Sequence, residues 1–218
     1  MERLAQIYWY PLYAFARRQG LREADAEDAV QGFLTRFVSG SHIHGVDSSN
    51  GRFRSFLLKC FKNYLADDRE KAASQKRGGG IEFVPLDALA ANERYRSESG
   101  GHGLNREERY DLDWAQSLVA EVLERLRREC KQSGKEDRFE VLIPFLIEDP
   151  TPEEVTLLRK NLALGESGVR TALRRLRLRF GEFLWTEIAR TLSDVSQVEQ
   201  ETRYVLGILS KTDPMQGS

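Results

Sequence analysis

The run from Val169 to Leu184, VRTALRRLRLRFGEFL, decides how this chain is read. Val169, Ala172, Leu173, Leu176, Phe180 and Leu184 fall on one face of an α-helix, at the three- and four-residue spacing of a helical stripe. Arg170, Arg174 and Arg177 share another face, flanked by Arg175 and Arg179, and no acid interrupts the helix before Glu182. A second helical pattern lies upstream, and Leu164-Gly165-Glu166-Ser167-Gly168 is expected to form the turn between them. An apolar stripe behind an arginine face, delivered by a tight turn, is the layout of a DNA recognition helix. Taken alone, the pattern equally fits a surface helix with a solvated basic face.

Working outward, the pattern stays helical. Leu4, Ile7 and Tyr8 begin one stripe, and Leu12, Phe15 and Ala16 continue it after Pro11, which either kinks the helix or starts a new one. Gly20 suits a C-cap. The next helix carries Glu23, Asp25, Glu27 and Asp28 in its first turns, where acids complement the dipole, and is expected to bury Val30, Phe33, Leu34 and Phe37. A loop from Ser39 to Gly51 precedes a helix from Phe53 to about Lys76, which Gly78-Gly79-Gly80 ends. Those glycines are no phosphate loop, because no GK[ST] follows them. Trp114, Leu118, Val122 and Leu126 open a second helical region, and Asp149-Pro150-Thr151-Pro152 is a break followed by a helix over 153–161. Residues 185–210 read as one or two further helices, and no strand is expected.

The fold expected is therefore all-α. It comprises a helical domain at 1–77, a flexible linker at 78–110, a domain with a helix-turn-helix at 111–192 and a helical extension at 193–218. About 30 extended residues reach roughly 100 Å, enough to join two contacts several helical turns of roughly 34 Å apart on DNA.

Composition sets the outer limits. The 218 residues are 40% hydrophobic and 31% charged, with a net charge of −1, as in a globular protein. No leader or membrane span is read from the sequence, so a cytoplasmic location is expected. Two cysteines without CxxC spacing suggest idle thiols. Charge is uneven: residues 52–77 hold eight basic residues against three acidic ones, so two basic regions on a neutral chain suggest two anionic contacts. His42 and His44 form an HxH with Asp47 nearby, but nothing supplies further rigid ligands, and no metal or cofactor is expected. The absence of GxSxG, HExxH or a Ser/His/Asp order speaks against an enzyme.

Four motifs, in order, resemble the extracytoplasmic-function group of bacterial RNA polymerase sigma factors. They are Leu12-Tyr13-Ala14-Phe15-Ala16-Arg17-Arg18-Gln19-Gly20 followed by Asp25-Ala26-Glu27-Asp28-Ala29-Val30-Gln31-Gly32-Phe33; Gly51-Arg52-Phe53-Arg54-Ser55-Phe56-Leu57-Leu58 with Asn63 and Asp67; Trp114-Ala115; and Val169 to Phe180. The resemblance implies a transcription initiation factor whose partners are core RNA polymerase, promoter DNA and, for many members, an anti-sigma protein. It implies polymerase docking through Asp25, Asp28, Gln31 and Phe33. It implies −10 contacts by Arg52, Arg54, Lys59, Lys62, Asn63 and Arg69, and −35 contacts by Ser167, Arg170, Thr171, Arg174 and Arg175. The chemistry agrees, because phosphates call for Lys and Arg, and unstacked bases call for aromatic or amide pockets. Phe53, Phe56, Phe61 and Tyr64 are interleaved with the cations, and Tyr64 is expected to drift away from the side shared by Phe53 and Phe56. The sequence departs from the family pattern at Arg159 (usually small and apolar), Ala163 (usually the turn glycine), Gly165 (commonly serine) and the acidic Asp67-Asp68-Arg69-Glu70 end. Two rival readings are a sigma-like adaptor that binds protein only, and a helix-turn-helix regulator that binds duplex DNA unaided.

Overall fold

Every residue from Ile7 to Ala16 is buried, so helix α1 (Glu2–Arg18) is enclosed on all sides instead of along one stripe. Pro11 lies within it and removes one backbone donor, yet a single helix runs through. Gly20, at φ +92, supplies the left-handed turn that closes α1. The computed structural model describes residues 2–39, 52–72, 88–97, 103–192 and 194–210, and the loop containing His42, His44 and Asp47 lies outside them. The described residues are all-α, with no strand beyond an isolated bridge between Arg52 and Leu192.

The chain continues through α2 (Glu23–Val38), α3 (Phe53–Ala72), α4 (Ala88–Ser97), α5 (Arg106–Gln132), α6 (Glu136–Leu142), α7 (Pro152–Leu162), α8 (Glu166–Ala189) and α9 (Val198–Ser210). These group into two compact units. The first comprises Met1–Leu118 with Ala189–Ser218, and the second Val119–Ile188.

This division corrects the boundaries expected at 77, 110 and 192. The expected linker is in part helix α4, which belongs to the first unit. Its Asn92 is buried and accepts hydrogen bonds from Arg17 (3.1 Å) and Tyr13 (3.4 Å), while Arg94 stacks on Tyr10 and donates to Gln116 at 2.8 Å. The expected extension likewise returns to the first unit, where α9 buries Val198, Val205 and Ile208.

Aromatic rings fill the first unit. Phe15 meets Phe61 and Tyr110, Tyr8 meets Phe53 at 5.4 Å, and Phe37 meets both Phe53 and Phe56. Tyr64 stacks on Phe61 and touches Phe33. The expected drift of Tyr64 is therefore wrong: eleven residues are close to three helical turns, which returns position 64 to the side of position 53. A fully buried ring such as Phe61 contributes roughly 1.5–3 kcal/mol by leaving water.

In the second unit, Val122, Leu126, Phe139, Leu142, Leu158, Leu162, Val169, Leu173, Phe183 and Ile188 are buried. Thr151 starts α7 with a capping box: its Oγ1 accepts from Glu154 N, and Thr151 N donates to the Glu154 carboxylate at 2.7 Å. The chain then turns at 163–165, and Glu166, Ser167 and Gly168 already belong to α8, which corrects the expected 164–168 turn. Gly168 is kept by close packing, since a Cβ there would meet Leu164 Cβ at 3.2 Å. Ala163 caps α7 in the left-handed region (φ 51), where a Cβ is costly. Ala163→Gly should accordingly raise the unfolding free energy by about 0.5–1 kcal/mol, read as a higher urea midpoint; an unchanged or lower midpoint would show that the turn is unstrained.

Candidate nucleic-acid interface

The α8 arginines divide into two sets with different tasks. Arg177 is committed to its own unit: it donates to the carbonyls of Phe145 (2.7 Å) and Glu148 (2.8 Å) and to the Asp149 carboxylate at 2.7 Å. It therefore staples the 145–149 segment, which otherwise presents unpaired carbonyls. Arg179 is held by Glu129 at 2.6 Å and Glu182 at 2.7 Å. That contact keeps the Glu129 carboxyl below the usual range and lifts the guanidinium above its own.

The other arginines face solvent. Arg170 is exposed and, among the described residues, pairs with its own first-turn Glu166 at 2.7 Å. Arg174 and Arg175 are exposed and have no ion pair or hydrogen bond to any described residue. Ser167 and Thr171 are also exposed, and the Thr171 hydroxyl donates to the Ser167 carbonyl at 2.8 Å. All five residues carried by the resemblance to the upstream element thus lie on the open part of α8. Beside it runs a concavity of about 540 Å³, floored by Val155, Val169 and Leu173 and rimmed by Arg170, Arg174 and Arg177.

The six −10 candidates, five on α3 and Arg52 just before it, scatter. Arg54 is 2% exposed, bound to Asp111 at 3.0 Å, paired with Glu201 and stacked over the Trp114 and Tyr204 rings. It cannot reach a phosphate, so its place among the −10 contacts is corrected. Arg52 is half-buried and also bound to Glu201, at 2.7 Å, with Tyr204 beneath it. Lys59 and Asn63 are exposed, Lys62 pairs with Glu107, and the Arg69 side chain lies outside the described residues.

On α2, Asp28 is exposed, Asp25 is exposed but bound to Arg22 at 2.7 Å, and Gln31 is half-buried. Phe33 is 4% exposed and packs on Phe37, Phe61 and Tyr64, the burial its helical stripe predicts, which corrects the docking role the resemblance implies for it.

Comparison with protein families, with curated proteins and with solved structures finds no match. Sequence reasoning missed the group formed by Asp111, Glu201 and Tyr204, whose hydroxyl donates to Asp111 at 2.5 Å. It was signalled by a glutamate on the apolar Val198–Val205–Ile208 stripe and an arginine on the Leu57–Leu58–Phe61–Leu65 stripe. No group of His, Cys, Asp and Glu able to hold a metal occurs among the described residues, and no described helix is long and apolar enough to cross a membrane. Cys60 and Cys130 are free and half-buried, and burial pushes both thiols up.

Proposed function

We propose that this protein is a sigma-type transcription initiation factor of the extracytoplasmic-function kind, acting in the cytoplasm on core RNA polymerase and promoter DNA. The observation that carries the reading is the sorting of α8: its structural arginines are bound within the unit, while Arg174 and Arg175 stand open next to Arg170, Ser167 and Thr171. On this reading α7, the 163–165 turn and α8 act as a helix-turn-helix, with the first two turns of α8 in the major groove at the −35 element. The edge of α2 formed by the exposed Asp28 and the half-buried Gln31 meets the polymerase, and Lys59, Asn63 and Lys62 approach the −10 element. The four motifs, which span most of the chain in order, support the same reading.

The withdrawal of Arg54 and Arg52 onto Glu201 favours a second reading, a helix-turn-helix protein that binds duplex DNA without polymerase. Capture by purified bacterial core polymerase, followed by run-off transcription on genomic fragments, separates the two. Capture with specific initiation is the expected result. DNA binding without capture, by heterologous and cognate polymerases alike, overturns the sigma reading.

A further inference from the structure

Ion pairing sorts the basic residues of the second unit. Every cation that α5 contributes to it, and Arg170, Arg177 and Arg179 of α8, lies within 4.0 Å of a carboxylate. Apart from Lys135 and Arg138 at the start of α6, the described basic residues of this unit without such a partner are Arg159 and Lys160 of α7 and Arg174 and Arg175 of α8. Arg159 stands one turn after Val155 and therefore continues the same row of α7. Val155 floors the concavity that Arg170, Arg174 and Arg177 rim, so that row leads from the arginine rim to an exposed, uncommitted guanidinium.

We propose that Arg159 is a DNA-backbone anchor that binds a phosphodiester flanking the groove entered by α8. This rests on the reading of α7 and α8 as a DNA-docking pair, and it adds a residue outside the set that faces the bases. In such pairs the first helix crosses the sugar-phosphate backbone, where an arginine binds bidentately and reads no sequence. No ion pair to a described residue has to break for Arg159 to do so, whereas Arg170 must first leave Glu166. The competing role is purely local: a cation in the last turn of α7 complements the helix dipole, a task Lys160 performs as well.

Salt dependence separates the two roles. The full chain is titrated with a fluorescent mixed-sequence duplex over roughly 50–200 mM salt, with binding read by anisotropy. In a plot of log affinity against log salt, Arg159→Ala should flatten the slope by about 0.9, the value of one lost phosphate contact. Arg159→Lys should keep the parental slope, and both variants should melt with the parent. A parental slope in Arg159→Ala, or no salt-dependent binding by the parent either alone or with core polymerase added, overturns the anchor. Polymerase capture reports separately on the sigma reading. Capture with an unchanged slope removes the anchor alone, and a flattened slope without capture keeps the anchor in a protein that binds DNA unaided.

Discussion

Glu201→Ala should lower the unfolding free energy by about 3–5 kcal/mol, the range for removing one partner of a buried ion pair. Glu201 is 1% exposed and answers two guanidinium groups, Arg54 at 2% exposure and Arg52 at 34%. Arg52 has a path to water when its partner is lost. Arg54 does not: it is enclosed by Trp114, Tyr204 and Asp111, so its charge stays desolvated with a single carboxylate beside it. The melting temperature should fall by roughly 10 °C, in line with the entropy of unfolding of a chain this size. The double variant Arg54→Met, Glu201→Leu should recover most of that loss, because an apolar pair of similar volume carries no desolvation penalty. Calorimetry of the parent, the single and the double variant checks both statements. A loss below about 1 kcal/mol in Glu201→Ala would mean that α9 is not held by this group.

Arg174→Glu should reduce initiation from a promoter that depends on its upstream element by on the order of 100-fold, with polymerase capture unchanged. One bidentate base contact carries about 1–3 kcal/mol of discrimination, and the reversed charge adds repulsion from the phosphates. Arg174 is exposed and makes no ion pair with a described residue, so its replacement should move stability by no more than about 0.5 kcal/mol. That separates it from Arg177 three residues on, whose bonds to two carbonyls and a carboxylate make any substitution a folding defect. Run-off transcription, paired with a melting curve for each variant, checks the assignment. Parental initiation by Arg174→Glu would remove α8 from promoter recognition.

Much of the architecture was legible because it depends on local pattern. The stripes Trp114–Leu118–Val122–Leu126 and Val169–Leu173–Leu176 are buried as their spacing requires, and α7 follows the Asp149-Pro150-Thr151-Pro152 break as expected. What failed depends on partners distant in the chain. Nothing near Arg54 shows that Glu201 will neutralise it, so a basic residue in a basic segment read as a phosphate ligand. The polar stretch before Arg106 looked like a tether, because Asn92 is an ordinary loop residue until Tyr13 and Arg17 are placed against it. Phe33 was misread for a related reason: one motif holds both the exposed Asp28 and the buried ring, and helical phase separates them. Within α8, sequence showed five arginines on one helix but not which carboxylates and carbonyls would claim three of them.

The closing of the first unit by α9 also fixes when that unit can be finished. About 150 residues separate Arg54 from Glu201. At ~5–20 residues per second, a ribosome needs roughly 7–30 s to deliver the second after the first. Through that interval α1 to α5 emerge with Arg54 lacking its buried counter-charge. The unit that begins the chain therefore cannot be completed until its last helix has been released. A purified chain truncated just before Glu201 should be open to protease in its N-terminal helices and resistant over residues 119–188.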